Sequence, residues 1–344
     1  LVDTHTDFPL WSERYDREMA DVFEVQDEIA RKIAEALRVT LSPQEEAALA
    51  AKPTENLQAY DLYLRGKSYA RRLTRQDFEF ALQMFENAVA LDPNFALAHA
   101  AIANVCAQTH YNYGRDPVWL ERAKSASRKA VALSPQLPEP LIAHAWILYA
   151  DGQYDEAAYS VRQAIERKSD CEGAYYLLGR ALFASGRYQE LANVADAAME
   201  AGDQDYNTYV PILNALGALG KDETLRNVRQ RQILALENHL RSVPEDARAR
   251  VLLAGGYAET GRQEDAVREA NLAVALRPNE ATVLYNAACV FCGLKNKVEA
   301  LEALRKCWNA GFKDSDWARR DPDLALLHGD PEFERLYPEH PAGA

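Results

Sequence analysis

The sequence predicts an all-α solenoid of stacked helix pairs, and three observations carry that expectation. A ladder recurs at offsets of four, three and five residues: Ala81, Phe85, Ala88 and Pro93; Ala123, Ser127, Ala130 and Pro135; Ala157, Val161, Ala164 and Ser169; Ala266, Ala270, Ala273 and Pro278. Offsets of four and three put side chains on one helix face, and a proline five further on cannot continue that helix, so each ladder reads as a helix ending at a corner. The corners repeat as well: Pro135 to Ser169 and Pro244 to Pro278 are each one period of about 34 residues. Small residues on the stripe let a neighbouring helix approach closely, as repeated stacking requires.

Taken in order, the chain first offers a helix capped by Asp21, with Glu24 completing a capping box and Val22, Val25, Ile29, Ile33 and Leu37 as its apolar stripe. Seven helix pairs then fit approximately 57–95, 96–137, 138–171, 172–205, 206–246, 247–280 and 281–312. Two of them are irregular. Between Gly66 and Ala81 the spacing exceeds the usual by three residues, and Tyr111 to Val118 is expected to add about two helical turns of chain between the helices of unit two. Insertions of this kind fall in loops on one face of a solenoid. Unit five carries a long Arg- and Gln-rich amphipathic stretch from Leu225 to Leu240, expected to distort the superhelix there. A terminal repeat must hide its last apolar face, and Trp317, Leu324, Leu327, Phe333 and Leu336 make 313–344 the expected cap.

Tyr175, Leu178, Gly179, Gly186 and Tyr188 give the first half of one repeat, and Tyr257, Gly261, Ala266, Ala273 and Pro278 another. This pattern resembles the tetratricopeptide repeat, which implies a right-handed superhelix of about seven such pairs over 57–312. A second resemblance involves Leu10 to Arg17, Asp21 to Ala30, and Ala59-Tyr60-Asp61-Leu62-Tyr63-Leu64-Arg65-Gly66, with Tyr285 to Cys289, Asp321 to Leu324 and Asp330 to Phe333 at the far end. These resemble the carboxy-terminal repeat region of bacterial multidomain signalling proteins with a TolB-like domain. The resemblance implies that 1–20 is a remnant of that domain and that 21–56 are connecting helices, so the chain is expected to be the carboxy-terminal part of something longer. In that family the upstream partner is a Ser/Thr kinase, a class III adenylate cyclase or a winged-helix regulator.

Composition narrows the function classes. Hydrophobic residues make up 48% of the 344 residues, yet no apolar run is long enough to span a membrane. A net charge of -13 repels phosphate backbones, so basic or apolar partners are expected rather than nucleic acid. Five cysteines, an odd number, point to free thiols in a cytoplasmic setting. Cys289 and Cys292 have redox spacing but fall inside a predicted helix with no second pair, so packing is the expected role. His99 and His144 fall at first-helix positions where core or groove contacts outweigh ligation. The acidic pair Glu45-Glu46 reads as solvated helix surface. There is no phosphate loop, kinase catalytic loop or nucleophile elbow. The expectation is a chain without catalysis, metal or cofactor.

Function is then placed by the resemblance on the concave face, at positions 2, 5, 9, 12 and 13 of each first helix. These are Tyr60, Tyr63 and Lys67 in unit one, Asn104 and Gln108 in unit two, Ile142, Trp146 and Tyr149 in unit three, Tyr176, Arg180 and Phe183 in unit four, Asn214 in unit five and Tyr285 in unit seven. Ala100 stands where chaperone-binding members carry a Lys four residues before the Asn. Trp146, Tyr149, Tyr176, Arg180 and Phe183 are expected to be exposed anchors, being the residue types that dominate binding hot spots. The implied function is a non-catalytic scaffold that binds a protein or peptide segment. Two alternatives stay open: the array belongs to an enzyme whose upstream domain is a kinase or cyclase, or it senses a ligand for a transcription regulator.

Overall fold

The computed structural model describes residues 11–13, 22–36, 52–201, 205–313 and 315–338. Asp21, Leu37 and the pair Glu45-Glu46 lie outside them, as do most of the expected TolB-like remnant and connecting segment and the side chains of Val22, Glu24 and Trp317. A first helix, α1 (Val22–Ala36), is followed by seven pairs: α2 (Leu57–Ala70) with α3 (Arg75–Leu91), α4 (Ala96–Asn112) with α5 (Pro117–Leu133), α6 (Glu139–Ala150) with α7 (Tyr154–Arg167), and α8 (Ala174–Ala184) with the broken second helix α9 (Tyr188–Asn193) and α10 (Ala195–Ala201). Unit five follows as α11 (Tyr209–Ala218) with α12 (Asp222–Ser242), then α13 (Ala247–Glu259) with α14 (Gln263–Leu276) and α15 (Ala281–Gly293) with α16 (Lys297–Asn309). Among the described residues there is no strand. The chain is an all-α, right-handed solenoid.

The ladders are where the helices touch. Ala81, Ala88, Ala123, Ala130, Ala157, Ala164, Ala266, Ala270 and Ala273 are fully buried, and their helices stop two residues before Pro93, Pro135, Ser169 and Pro278. At Gly179 a Cβ would lie 2.7 Å from Pro211 Cγ, so the next unit packs against bare backbone. The turns inside units three to seven share one hydrogen-bond pattern, in which the N–H after the turn residue reaches back five positions: Gln153 to Leu148, Arg187 to Leu182, Lys221 to Leu216, Arg262 to Tyr257 and Asn296 to Phe291. This helix-ending motif needs a left-handed residue. Gly152, Gly186, Gly220 and Gly261 supply it in units three to six, and Lys295 takes the same conformation in unit seven at φ 59°.

The core runs in two stretches. One extends from Ala59 to Val228 and the other from Tyr206 to Tyr337. They divide on α12, whose Val228 joins the first while Ile233 and Leu236 join the second. At the far end Leu324, Leu327 and Phe333 are fully buried and Leu336 packs against them, joined by Tyr337, which meets Trp308 edge-on at 5.5 Å.

Both insertions depart from expectation. Most of the added chain in unit two lengthens α4, which runs on to Asn112 because nothing breaks the helix before Tyr113-Gly114; only Tyr113 to Asp116 connect it to α5. The extra residues of unit one form the bend Arg71 to Thr74, with Leu73 in a left-handed conformation at φ 51°. These two features meet, the Tyr113 hydroxyl donating to the Leu73 carbonyl at 3.2 Å. Together they cross to the far end of the solenoid. Arg72 donates to Glu245 at 3.0 Å, Arg277 pairs with Asp77 at 3.4 Å, and Glu280 accepts from the Arg75 N–H at 2.9 Å and from Tyr113 at 3.2 Å. Asn207 donates to the Arg71 carbonyl at 3.2 Å. An ordinary repeat touches only its neighbours. Here the bend of unit one and the start of α3 latch the first units to units five and six.

Candidate functional site

Beneath that latch the inner face encloses a cavity of about 140 Å³. Its wall takes Tyr63 and Lys67 from α2, Asn104 and Gln108 from α4, Ile142 and Trp146 from α6, and Tyr176 from α8. These share a register in their helices, so stacking the pairs brings them to one surface. Leu73 and Arg71 of the bend add to the wall, with Asn207 hydrogen-bonded to the Arg71 carbonyl.

The remaining expected positions lie elsewhere. Tyr60 is half-buried and stacks on Tyr63 at 6.4 Å; Phe183 is half-buried against Tyr188 at 5.0 Å. Asn214 is exposed and lines no part of the cavity. Tyr285 donates to Asp321 at 2.7 Å and stacks on Phe312, so it faces the terminal cap. His144 is exposed, and His99 is held by the Pro93 carbonyl at 3.0 Å, so neither occupies the core.

The expectation that the middle aromatics stand exposed is corrected by their burial. Trp146 is 2% exposed, Tyr149 4% and Tyr176 6%. They are drawn inward by Arg180, whose guanidinium donates to the Tyr176 hydroxyl at 2.9 Å and to the Tyr149 hydroxyl at 3.2 Å. It also lies 5.1 Å from the ring centres of Tyr111 and Tyr149. Cation–ring attraction substitutes there for a carboxylate partner. The lengthened α4 brings Tyr111 to this cluster.

Three carboxylates complete the cavity wall: Glu139, Glu172 and Asp205. They sit at the same corner of successive repeats, each just ahead of a first helix or at its first residue, 33 positions apart in the sequence. That spacing was a signal open to sequence reading, but the ladder of small residues does not contain it. Glu172 binds both nearby cations, Lys67 and Arg71. Burial opposes its ionisation, but the Arg71 hydrogen bond and the two positive charges outweigh that and hold its carboxyl at about 2. Burial pushes Asp205 above the usual carboxylate range, partly offset by the Asn207 N–H, which donates at 3.1 Å. Glu139 Oε2 is buried with no hydrogen-bond partner. Burial, and then Glu139, pushes the neighbouring Cys171 thiol up to about 12.

Nothing in this arrangement pairs a nucleophile with a base. Cys292 is buried, its thiol pushed up to about 12 by burial, and burial raises Cys289 too; both behave as packing residues. Among the described residues no group of three or more His, Cys, Asp or Glu is placed to hold a metal ion, and no helix is long and apolar enough to cross a membrane.

Comparison with known proteins agrees with the architecture. Residues 120–198 match the family model of the anaphase-promoting complex, cyclosome, subunit 3. Over 162 residues, 46% of this chain, the sequence is 30% identical to a Rhizobium meliloti (strain 1021) protein named "Putative adenylate cyclase 3". The match spans only 28% of that protein's length. Among solved structures, the human IFIT1 dimer with m7Gppp-AAAA superposes with a TM-score of 0.53 at 15% identity, covering 91% of this chain and 73% of that one. The APC/C hetero-tetramer Cut9–Hcn1 does so with 0.51 at 14% identity, covering 91% and 52%. The chain has the fold of a tetratricopeptide-repeat solenoid.

Proposed function

We infer that this chain is a non-catalytic scaffold whose inner face, from α2 through α8, binds a segment of a partner protein as the regulatory end of a larger bacterial signalling protein acting in the cytoplasm. The observation that carries the reading is the cavity itself. Seven of the residues placed on the concave face by repeat register converge on it, and its polar groups are only partly satisfied by the chain. The charge of -13 supports a basic or apolar partner over a nucleic acid and makes association slow as salt rises. The test is photo-crosslinking in bacterial cells, with a benzophenone amino acid at Asn104 or Lys67 on the inner side, or at Tyr159, which is 65% exposed on the second helix α7. Adducts with one protein from the inner positions and none from Tyr159 support the reading; adducts from Tyr159 alone refute it.

A second reading is favoured by the relative named as an adenylate cyclase: the solenoid serves a cyclase domain in the same polypeptide. The product of the complete reading frame would then form cyclic AMP from ATP. A full-length product that forms none under conditions where a known cyclase is active rules that reading out.

A further inference from the structure

Glu139 stands out among the groups that line the cavity. It opens α6, its Oε2 is buried, and no hydrogen bond or ion pair reaches it from the described residues. A buried carboxylate oxygen without a donor is costly, and folded chains normally satisfy such atoms. The two cations nearby are already committed: Lys67 and Arg71 both bind Glu172, which lies toward the solvent side with 35% of its side chain exposed. Asp205, the third carboxylate, accepts from the N–H of Asn207 and has no salt bridge of its own. The wall therefore carries three carboxylates against two cations, and both cations are taken by Glu172.

Beside the amides of Asn104, Gln108 and Asn207, the wall includes Tyr63, Ile142 and Trp146, whose apolar surface suits an alkyl stem. At about 140 Å³ the space is an order of magnitude larger than the roughly 10–15 Å³ that one water needs. An acidic end within an apolar and aromatic sleeve matches a short alkyl chain ending in a cation.

We propose that the cavity is a subsite for an alkylammonium group, with Glu139 as its counter-ion and Tyr63, Ile142 and Trp146 as the sleeve for its carbon chain. This rests on the reading of the inner face as a binding surface and names the chemistry recognised there. The ammonium belongs either to a lysine side chain of the bound partner or to a free small amine. In both cases the carboxylate row at the repeat corners is what selects it, and the Glu172 cluster holds the competing cations of the chain away from Glu139.

The experiment follows the Trp146 indole N–H of the whole chain by NMR during titration with n-butylammonium, with butyrate as the anionic counterpart, and with a blocked Ala-Leu-Lys-Leu-Ala peptide. The cation is expected to shift the Trp146 signal saturably and butyrate to leave it unmoved. Glu139→Gln should weaken the cation by about tenfold or more. Its melting temperature should equal or exceed that of the wild type, because a carboxylate oxygen without a donor has gone, and this separates lost binding from lost fold. Glu121→Gln, on a side chain 71% exposed, should change nothing. A peptide that binds tighter than butylammonium assigns the subsite to a partner's lysine; a peptide that fails where butylammonium binds assigns it to a free amine. The proposal is overturned if butylammonium does not bind, if Glu139→Gln binds it as the wild type does, or if butyrate shifts Trp146 equally. Inner-face crosslinks that persist without any cation binding would sink this subsite and leave the scaffold reading standing. Cation binding without inner-face crosslinks would do the reverse.

Discussion

Replacing Asp77 by Ala tests whether the latch between unit one and units five and six holds the solenoid's shape. The Asp77 side chain is only 2% exposed and lies 3.6 Å from Arg72 and 3.4 Å from Arg277, whose side chains are 12% and 20% exposed. Among the described residues the Arg72 and Arg277 Nε groups already lack partners, so loss of Asp77 leaves Arg277 with only the Leu276 carbonyl and Arg72 with Glu245 as its one carboxylate in a poorly hydrated seam. Breaking a buried ion pair by removing one partner costs about 3–5 kcal/mol. For a chain of this size, roughly 2 °C per kcal/mol or less makes the drop in melting temperature about 5–10 °C. The exposed pair Asp61–Arg65 is the control: its side chains are 48% and 65% exposed, and Asp61→Ala should cost under about 0.5 kcal/mol. Stability alone would not prove a latch, so small-angle scattering is the second assay, with a larger radius of gyration expected once the end units separate. Asp77→Ala and Arg277→Ala should also be non-additive, with a coupling of about 0.5–3 kcal/mol. An unchanged scattering curve together with additive effects would refute the latch.

Four further outcomes follow from particular contacts. Gly179→Ala puts a Cβ 2.7 Å from Pro211 and should cost about 1–3 kcal/mol in denaturant unfolding; an unchanged midpoint would contradict the packing of unit five on unit four. Lys295→Gly relieves a left-handed lysine at φ 59° and should stabilise by about 0.5–1 kcal/mol, whereas a lower melting temperature would count against the repeated turn geometry. Trp146→Ala removes a buried ring and should cost about 3–5 kcal/mol, measured by calorimetry, whatever its effect on a partner. Glu172 is held from 4.5 down to about 2, so its contribution is complete above pH 4.5 and lost as pH falls toward 2. The stability gap between wild type and Glu172→Gln should therefore close over that window, and a gap that stays constant would remove the ion cluster from the account.

The repeats were legible because periodicity survives in local sequence. Ala157, Val161 and Ala164 mark a helix face with no knowledge of what covers it, and full burial followed from stacking. The ends of helices were legible for the same reason, prolines and glycines acting on their own backbone. The latch was not, although both of its parts showed as irregular spacing. Whether the bend at Leu73 meets Tyr113, Asp77 meets Arg277 and Arg75 meets Glu280 depends on the summed rotation of several repeats, with partners about 200 residues apart for the last two. No short-range pattern encodes that sum. The lengthening of α4 was misjudged as loop because only Gly114, at φ 98°, forces the chain out of the helix.

At the site, register placed Tyr63, Lys67, Asn104, Gln108, Ile142, Trp146 and Tyr176 around one cavity, but it could not say which way charge would balance there. The aromatics look like anchors in a list of residue types; their burial comes from Arg180, a cation with no carboxylate beside it that gathers Tyr111, Tyr149 and Tyr176 to itself. That cluster spends its rings on its own chain, and the proposed recognition therefore rests on the polar groups of the cavity wall. These are the corner carboxylates, and they differ in what holds them: Glu172 is neutralised by Lys67 and Arg71, Asp205 is capped by a backbone N–H, and Glu139 has neither. A row that is equivalent in sequence thus becomes graded in chemistry by the latch, because Arg71 belongs to the bend that closes the solenoid. Opening that bend would take Arg71 away and leave Glu172 with Lys67 alone, so the latch and the charge of the cavity are coupled.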